Sequence, residues 1–302
     1  MIEIGNQQQH FLFDRRLKPA ATIRPGDAVT FVTQDACLGE VRSVEQFLQR
    51  RATDRPSNPM TGPVFVAGAK PGHTLVVEIQ RIELDPDGFQ LIGPNRALVR
   101  DEIPEWTCYA FRVEGERVIF PNGLEVPAAP VIGQFGNAPA GEPTNLPNPL
   151  GGNVDCPHVR VGAKLHIPIE VDGALFSLGD VHACQGDGEV VGAPEIGARV
   201  TVGFDLVPHR HADWFMIEDA THWRTCCAAD TEEEASRLAL WQNAHFVART
   251  QRVALKDALV LLTLLGELSI ARRGKWGAHN PVVCASFSKQ RLTEAVRRYR
   301  PA

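Results

Sequence analysis

Short β-branched segments separated by turn dipeptides run through the chain up to about residue 225, and they restrict the possible folds most strongly. The segments cover residues 29–32, 75–82, 118–120, 164–171 and 199–207. The dipeptides between them include Pro25-Gly26, Pro71-Gly72, Asp87-Gly88, Asn122-Gly123 and Asp172-Gly173. Many short strands joined by turns are typical of a sandwich or barrel, whereas βαβ units alternate strands with long helical segments.

Helical patterns are concentrated near the C-terminus. Thr231 followed by Glu234 is a capping-box pattern, which predicts a helix running to about residue 251. A second helix is predicted at about 255–265, with Gly266 as its C-cap, and its apolar character predicts burial. The predicted class is β-rich α+β, with layered antiparallel β-sheets (sandwich- or barrel-like) and C-terminal helices.

The length and composition are those of an ordinary globular chain. The 302 residues are 44% hydrophobic and 22% charged, enough for a substantial core. We expect a single domain over residues 1–302. Residues 121–152 are rich in Pro, Gly and Asn, which leaves open a subdomain break there or a long functional loop. The polar residues that follow favour the loop.

The net charge and the spacing of the cysteines indicate which binding partners and which cellular location to expect. The net charge of -5 argues against nucleic acid or an anionic membrane as the main partner. No secretion signal is apparent, and the apolar run at 258–265 is far shorter than a membrane helix. The seven cysteines form no CxxC pair, so neither a thiolate zinc site nor a disulfide framework is expected. We predict a reduced, cytoplasmic protein.

Residues 175–189 contain the densest group of ionisable side chains. Asp180 and His182 are two residues apart, so on a strand they point to the same face, and Asp187 and Glu189 do so if pairing continues. Carboxylates packed together are unfavourable unless water or a cation compensates. Histidine with carboxylates suits a first-row metal ion, zinc being the commonest. The alternative from spacing alone is a polar hairpin.

A second candidate lies earlier in the chain. Gly151 and Gly152 precede Asn153 and Asp155, whose side chains share one side if the segment is extended. The alternative is a turn that closes the Pro-rich segment, and His158 just beyond it is better explained as a surface residue.

Other polar residues are weaker candidates. Cys184 lies among carboxylates, which disfavour the thiolate, so a packing role is preferred. His209 and His211 form an HxH pair, but they follow Pro208 in a charged turn. His222, close to acidic residues, is the most interesting secondary histidine.

Four motifs resemble those of the acetamidase/formamidase family, over roughly residues 25–290. Residues 176–189 resemble the family signature FSxGDxHAxQGDGE, and 151–155 resemble GGNxD. Residues 131–139 resemble IGxxGxAP, and 58–69 resemble NPxTGPxxVxGA. The motif at 176–189 is long enough to be specific.

The resemblance implies metal-dependent hydrolysis of a small linear carboxamide, of the acetamide or formamide type, to carboxylate and ammonia. The implied metal ligands are Asp155, Asp180 and His182. The catalytic candidates are Glu189, Asp187 and Asp35, and the substrate-binding candidates are Gln185 and Asn153. The cofactor would be a divalent ion, zinc first and calcium or another ion as alternatives, and a homo-oligomer is expected.

Several positions depart from the family pattern, namely His73, Cys156-Pro157, Cys184 and residues 272–280. They leave the substrate open. Two alternatives therefore stand beside the leading hypothesis. One is a non-catalytic member that binds a small ligand or metal, and the other is a hydrolase of another C–N bond, such as a larger or cyclic amide.

Overall fold

The computed structural model describes residues 2–94, 102–273 and 280–299. Within these residues the strands are β1 (Ile2–Ile4), β2 (Gln9–His10), β3 (Ala21–Ile23), β4 (Ala28–Thr33), β5 (Met60–Val66), β6 (Thr74–Ile92), β7 (Thr107–Glu114), β8 (Arg117–Ile119), β9 (Glu125–Pro127), β10 (Val131–Gly136), β11 (Gly151–Asn153), β12 (Lys164–Pro168), β13 (Phe176–His182), β14 (Glu195–Val207), β15 (Met216–Glu218), β16 (His222–Ala228), β17 (Gly266–Arg272) and β18 (Val282–Ser288). The helices are α1 (Val44–Ala52), α2 (Glu232–Gln251), α3 (Leu255–Leu265) and α4 (Lys289–Val296).

The strands pair almost entirely antiparallel. The longest ladder joins β6 to β14, and β4 pairs with β14 as well. β13 pairs with β5, β10 and β14, which places it among the other strands. Only the pairs β1–β4 and β3–β5 are parallel among the described strands. The predicted β-rich α+β class, with layered antiparallel sheets and helices toward the C-terminus, is confirmed.

The main core lies between strands β4, β5, β6, β12, β13 and β14. At its centre the rings of Phe31, Phe176 and Phe204 contact one another at centroid distances of 5.5–6.5 Å. Their inward positions follow from strand alternation, because every second side chain points to the same face. The rigid packing of this core holds β13, which carries two of the predicted site residues.

A second apolar cluster lies under the C-terminal helices, formed by α2, α3, α4 and β18. α2 begins as predicted, since Thr231 Oγ1 accepts a hydrogen bond from the Glu234 amide at 3.2 Å. The burial predicted for α3 is wrong on one face. Leu259, Val260 and Leu264 are 40%, 55% and 67% exposed, because only one face of the helix packs on the cluster.

An ion cluster links β12, β15 and α4. Glu218 accepts hydrogen bonds from His166 Nε2 at 2.8 Å and from Lys289 Nζ at 2.6 Å. Burial would raise the pKa of Glu218, but hydrogen bonding to His166 and Lys289 outweighs it and lowers that pKa to about 2. The carboxylate is therefore charged in the folded protein at neutral pH.

One helix was not predicted, and one expectation for local structure is wrong. Helix α1, with Ser43 as its N-cap, precedes the C-terminal region where the other described helices lie, as predicted. Asp87 and Gly88 lie inside β6 and do not form a turn. A Cβ on Gly88 would lie 2.3 Å from the backbone oxygen of Glu195. Glycine is thus present because two strands approach closely, and turn geometry is not the reason.

The expectation of no disulfide is also wrong. Cys226 on β16 and Cys284 on β18 are directly opposite in the antiparallel ladder and form a disulfide. The Sγ atom of buried Cys156 lies 3.8 Å and 3.6 Å from their sulfurs. The bonded cysteines are 58 residues apart, so no local spacing pattern could reveal the pair.

Residues 121–152 contain regular structure that reaches the site. β10 and β11 lie in this segment and pair with each other, and β10 also pairs with β13. The described helices include none with the length and apolar character needed to span a bilayer.

Candidate active site

The predicted site residues are held by three adjacent segments. Asp180 and His182 belong to β13, and Asp155 follows β11 by two residues. β10 pairs with both strands, and its Gly133 lies between them. A Cβ on Gly133 would lie 2.6 Å from Asp155 Oδ1 and 2.7 Å from His182 Cε1. The absence of a side chain there lets the two functional groups approach each other.

Asp155, Asp180 and His182 converge in the structure. All three are buried, and one donor atom from each lies within 4.8 Å of the others. His182 Nε2 lies 3.9 Å from Asp155 Oδ1 and 3.8 Å from Asp180 Oδ2. It also lies 3.9 Å from Glu195 Oε2. Three carboxylates therefore lie around His182 Nε2, and those of Asp155 and Asp180 form a compact group with it.

Gln185 fixes the orientation of the His182 imidazole. Its Nε2 donates to the backbone carbonyl of Asp155 at 2.6 Å, so its Oε1 faces His182 Nδ1 at 2.8 Å. Because an oxygen faces Nδ1, that nitrogen must carry a proton. In the neutral ring the lone pair of Nε2 is then directed toward the carboxylates. This second-sphere arrangement is typical of metal-bound histidine. Gln185, predicted to bind substrate, thus contacts a candidate ligand.

Amide groups and one arginine hold the two aspartates. With its amide nitrogen facing the carboxylates, Asn153 donates to Asp180 Oδ2 at 2.8 Å and to Asp155 Oδ1 at 3.1 Å. Asn58 Nδ2 also donates to Asp180 Oδ2, at 2.8 Å. On the other side, Arg272 Nη1 donates to Asp155 Oδ2 at 2.6 Å. The oxygens Asp180 Oδ1 and Glu195 Oε2 are buried and have no hydrogen-bond partner among the described residues.

The accumulated negative charge shifts the pKa values of the site. Burial would lower the pKa of His182, but Glu195, Asp180 and Asp155 outweigh that effect and raise it well above its ordinary value. Burial, together with the charge of Asp155, raises the pKa of Glu189 to about 8. Burial and Asp180 likewise raise the pKa of Glu195 well above its ordinary value. Such a group of acids is stabilised by proton uptake or by a cation.

Glu195 was missed by the sequence analysis. It is the first residue of β14 and lies directly opposite His182 in the β13–β14 pair. β13 ends at His182 and no strand follows before Glu195, so Asp187 and Glu189 do not lie on a strand. Glu189 faces the same pocket as His182, whereas Asp187 is exposed and lines a neighbouring pocket.

Asp35 lies away from this group and is engaged elsewhere. Its Oδ1 accepts hydrogen bonds from the amides of Cys37 and Gly39, and its Oδ2 accepts one from Arg42 Nη1 at 2.8 Å. Asp35 does not line the pocket that contains His182, although Cys37 does. The structure therefore places Asp35 in a turn that supports one wall.

The weaker candidates also lie outside the pocket of His182. His222 Nδ1 is bonded to Thr221 Oγ1, and His211 stacks on His166. His158 and His209 do not line that pocket either. Burial raises the pKa of the Cys184 thiol, in keeping with its interpretation as a packing residue.

The pocket has a volume of about 430 Å³. Asp155, Asp180, His182, Glu189 and Glu195 line one part of it. Another part is formed by α1 and the loop that follows, together with residues of β6 and the approach to β7.

The chain resembles known proteins in both sequence and fold. The acetamidase/formamidase family profile matches residues 138–221. The crystal structure of an acetamidase from Bacillus halodurans superposes with a TM-score of 0.89 at 30% identity, over 97% of this chain and 99% of that one. The chain belongs to the acetamidase/formamidase family. The resemblance found in the sequence is thereby confirmed.

Two curated family members match this chain over part of their length. The acetamidase of Mycolicibacterium smegmatis is 26% identical, over 62% of this chain and 63% of its own length. The formamidase of Methylophilus methylotrophus is 33% identical, over 66% of this chain and 64% of its own length. The chain thus spans less than two thirds of either relative. The family segment contains Asp155, Asp180, His182 and Glu195, whereas Arg272 lies outside it.

Proposed function

We propose that the protein hydrolyses a linear carboxamide to a carboxylate and ammonia, with a divalent metal ion held by Asp155, Asp180 and His182. The observation that carries the proposal is the convergence of these three buried groups in one pocket of an acetamidase/formamidase family member. Glu195 is added as a fourth ligand, since its Oε2 lies 3.9 Å from His182 Nε2.

The donor groups fit a metal ion in number and chemistry. The separations of 3.8–3.9 Å between His182 Nε2 and the carboxylate oxygens are slightly longer than the roughly 3.4 Å between tetrahedral zinc ligands. The unpartnered oxygens of Asp180 and Glu195 supply acceptor capacity that no described protein donor uses. Zinc suits this mixed set best, because calcium takes 6–8 oxygen ligands.

A bound divalent ion would lower the pKa of water and polarise the amide oxygen. Arg272 keeps Asp155 in place by binding its second oxygen, and Gln185 keeps His182 Nε2 directed at the site. Glu189 takes the proton of the attacking water and returns it to the amide nitrogen, which leaves as ammonia. Burial and the charge of Asp155 raise the pKa of Glu189 in the metal-free pocket, and a divalent ion would lower it again toward the ionised form that a base requires.

The test combines metal analysis with ammonia release. The purified protein should contain close to one equivalent of zinc and release ammonia from linear amides, and chelation should remove both properties. His182→Ala should lose metal and activity together, because one ligand is removed and the clustered carboxylates lose the imidazole that offsets part of their charge. His209→Ala is the matched control, since His209 is exposed and outside the pocket.

Two results would contradict the proposal in different ways. Ammonia release that persists after complete metal removal would refute the metal mechanism. Full metal content without hydrolysis of any amide would favour the alternative of a non-catalytic binding protein.

We also propose that the protein is a homo-oligomer. Leu259, Val260 and Leu264 on α3 are exposed, and Leu268 on β17, the strand that directly follows α3, is 50% exposed. Among the described strands, β17 pairs only with β18. Gly188 is hydrogen-bonded to the backbone of Ala271 and Arg273 at the end of β17, so the edge without a strand partner is the part at 266–270. Such an edge beside an apolar face suits a second copy of the chain. Light scattering should give a multimer for the native protein and a smaller species for Leu264→Lys.

We further propose a single domain over residues 1–302 and a cytoplasmic location. The first is supported by β10 and β11, which connect residues 121–152 to β13. The second is supported by five unbonded cysteines, Cys37, Cys108, Cys156, Cys184 and Cys227, whereas the Cys226–Cys284 disulfide is of a kind more frequent in oxidising compartments. Limited proteolysis and cell fractionation test these two points. A stable fragment cut within 121–152, or recovery outside the cytoplasm, would contradict them.

A further inference from the structure

The pocket is much larger than the smallest amides require. Its volume is about 430 Å³. Acetamide, with four heavy atoms, displaces roughly 100 Å³ of water at about 30 Å³ per molecule. If the amide group lies at Asp180 and His182, most of the pocket remains for the rest of the acyl chain. The residues that line the remaining space therefore contribute to substrate selection.

The wall formed by α1 and the following loop is rich in arginine. Arg50, Arg51 and Arg55 all line the pocket. Two carboxylates lie near them: Asp54 lines the pocket, and Glu40 pairs with Arg55 at 2.6 Å. Among the described residues, three guanidinium groups against two carboxylates leave a positive balance on this wall. The metal-competent end of the pocket, by contrast, carries clustered acids.

Arg50 is the most buried of these cations. Its residue exposure is 7%, and its Nε and Nη1 have no hydrogen-bond partner among the described residues. Nη2 donates to the Pro56 carbonyl, while Nη1 lies 3.7 Å from Glu40, which is shared with Arg55. A buried guanidinium with two unsatisfied donor atoms is unfavourable without a further acceptor.

Arg51 is accessible, and an aromatic ring supports it. Its guanidinium lies 5.7 Å from the Trp106 ring centroid, and Trp106 contacts Phe47 at 4.7 Å. Among the described residues no carboxylate pairs with Arg51. Stacking on an aromatic ring orients the planar guanidinium while leaving its donors available to a carboxylate. Phe89 and Leu91 line the pocket as well and suit an alkyl chain.

We propose that the pocket selects an amide whose acyl chain ends in a carboxylate, with Arg50 and Arg51 as specificity-determining residues. The inference rests on the proposed amide hydrolysis. The substrate amide lies at the acidic end, its alkyl chain runs past Phe89 and Leu91, and its carboxylate lies against the arginine wall. Water adds to the amide carbon and the C–N bond breaks, so the products are a dicarboxylate and ammonium.

The test compares substrates of equal length and different charge on the metal-loaded protein. The half-amides of four-, five- and six-carbon dicarboxylic acids are compared with the neutral amides of the same chain length and with ω-amino amides. We expect kcat/KM for the anionic substrate to exceed that of its neutral match by about tenfold at the best length, and the cationic substrate to be the poorest. Higher salt should reduce the preference.

Substitutions of the arginines test which residues cause the preference for anionic amides. Arg51→Met should bring the anionic-to-neutral ratio of kcat/KM toward one, and Arg50→Lys should lower it in a correctly folded protein. Arg81→Met, which removes an exposed arginine paired with Glu83 at 2.9 Å, is the matched control and should keep the ratio. Equal kcat/KM for anionic and neutral amides would overturn this inference and leave amide hydrolysis intact. No ammonia from any amide would refute the proposed function itself.

Discussion

Substitution of Gly133 by alanine tests how the candidate site is assembled. The added Cβ would lie 2.6 Å from Asp155 Oδ1, 2.7 Å from His182 Cε1 and 2.8 Å from the Asp180 backbone oxygen. Ordinary van der Waals contact begins near 3.4 Å, so these three contacts are too short by about 0.8, 0.7 and 0.6 Å. Buried aspartate and histidine groups tied to Asn153, Arg272 and Gln185 cannot move freely to relieve them.

Gly133→Ala is expected to reduce both the overall stability of the fold and the metal affinity of the site. Overpacking of this kind typically costs about 1–3 kcal/mol of stability, which lowers Tm by about 2–6 °C for a chain of this size. Displacement of candidate ligands should reduce metal affinity by about 10–100-fold. Urea unfolding, metal analysis and ammonia release, each measured on the same preparation, separate the two effects.

Gly141→Ala is the matched control for Gly133→Ala. No atom lies within 4 Å of the Cβ position at Gly141, so this variant should be within about 0.5 kcal/mol of the parent, with normal metal content. A Gly133→Ala protein that keeps full metal affinity and activity would refute the convergence of Asp155 and His182 at Gly133.

Three further perturbations test other contacts. Arg272→Met should lower the free energy of unfolding by about 3–5 kcal/mol in metal-free protein, because the buried Asp155 charge loses its partner, and urea unfolding with and without zinc should show a smaller loss when the metal is bound. Gln185→Leu should weaken zinc binding by about 10–100-fold in calorimetric titration, because His182 Nδ1 loses its acceptor. The folded-state pKa of Glu218, about 2, is below its ordinary 4.5, so its stabilising effect is present above about pH 4.5 and is lost as the pH falls toward 2. After solvent screening, Glu218→Gln should cost about 1–2 kcal/mol at pH 7 and less than half of that at pH 3 in urea unfolding.

Local patterns in the sequence could predict local structure. The strand at 29–32 and the helix start at Thr231 follow from β-branched residues and a capping box, both of which act over a few residues. The grouping of Asp180 with His182 was predicted from strand alternation, and the two do lie together on β13, although Asp180 has a left-handed φ of 55° there. The link to Asp155 came from family resemblance, because spacing alone left a turn as the alternative.

The remaining parts of the site depend on long-range pairing, which no local pattern encodes. Glu195 meets His182 because β13 and β14 are paired in that register. Arg272 reaches Asp155 across 117 positions of sequence. Asn58 belongs to the motif at 58–69, but its contact with Asp180 depends on where the loop after α1 packs. In each case the tertiary fold selects the partner.

Backbone conformation gives a reason to expect that metal binding and folding are coupled. Asp155, Asp180 and Glu189 have φ values of 48°, 55° and 42°, a region that favours glycine. Each such residue costs roughly 1–2 kcal/mol, and the buried carboxylates add repulsion. A ligand at 100 times its Kd stabilises the folded state by about 2.7 kcal/mol, which would offset the strain of about two of these residues. Tm should therefore rise with zinc concentration and fall on chelation, and a Tm that is insensitive to both would show that the fold supports this strained, acidic site without a cation.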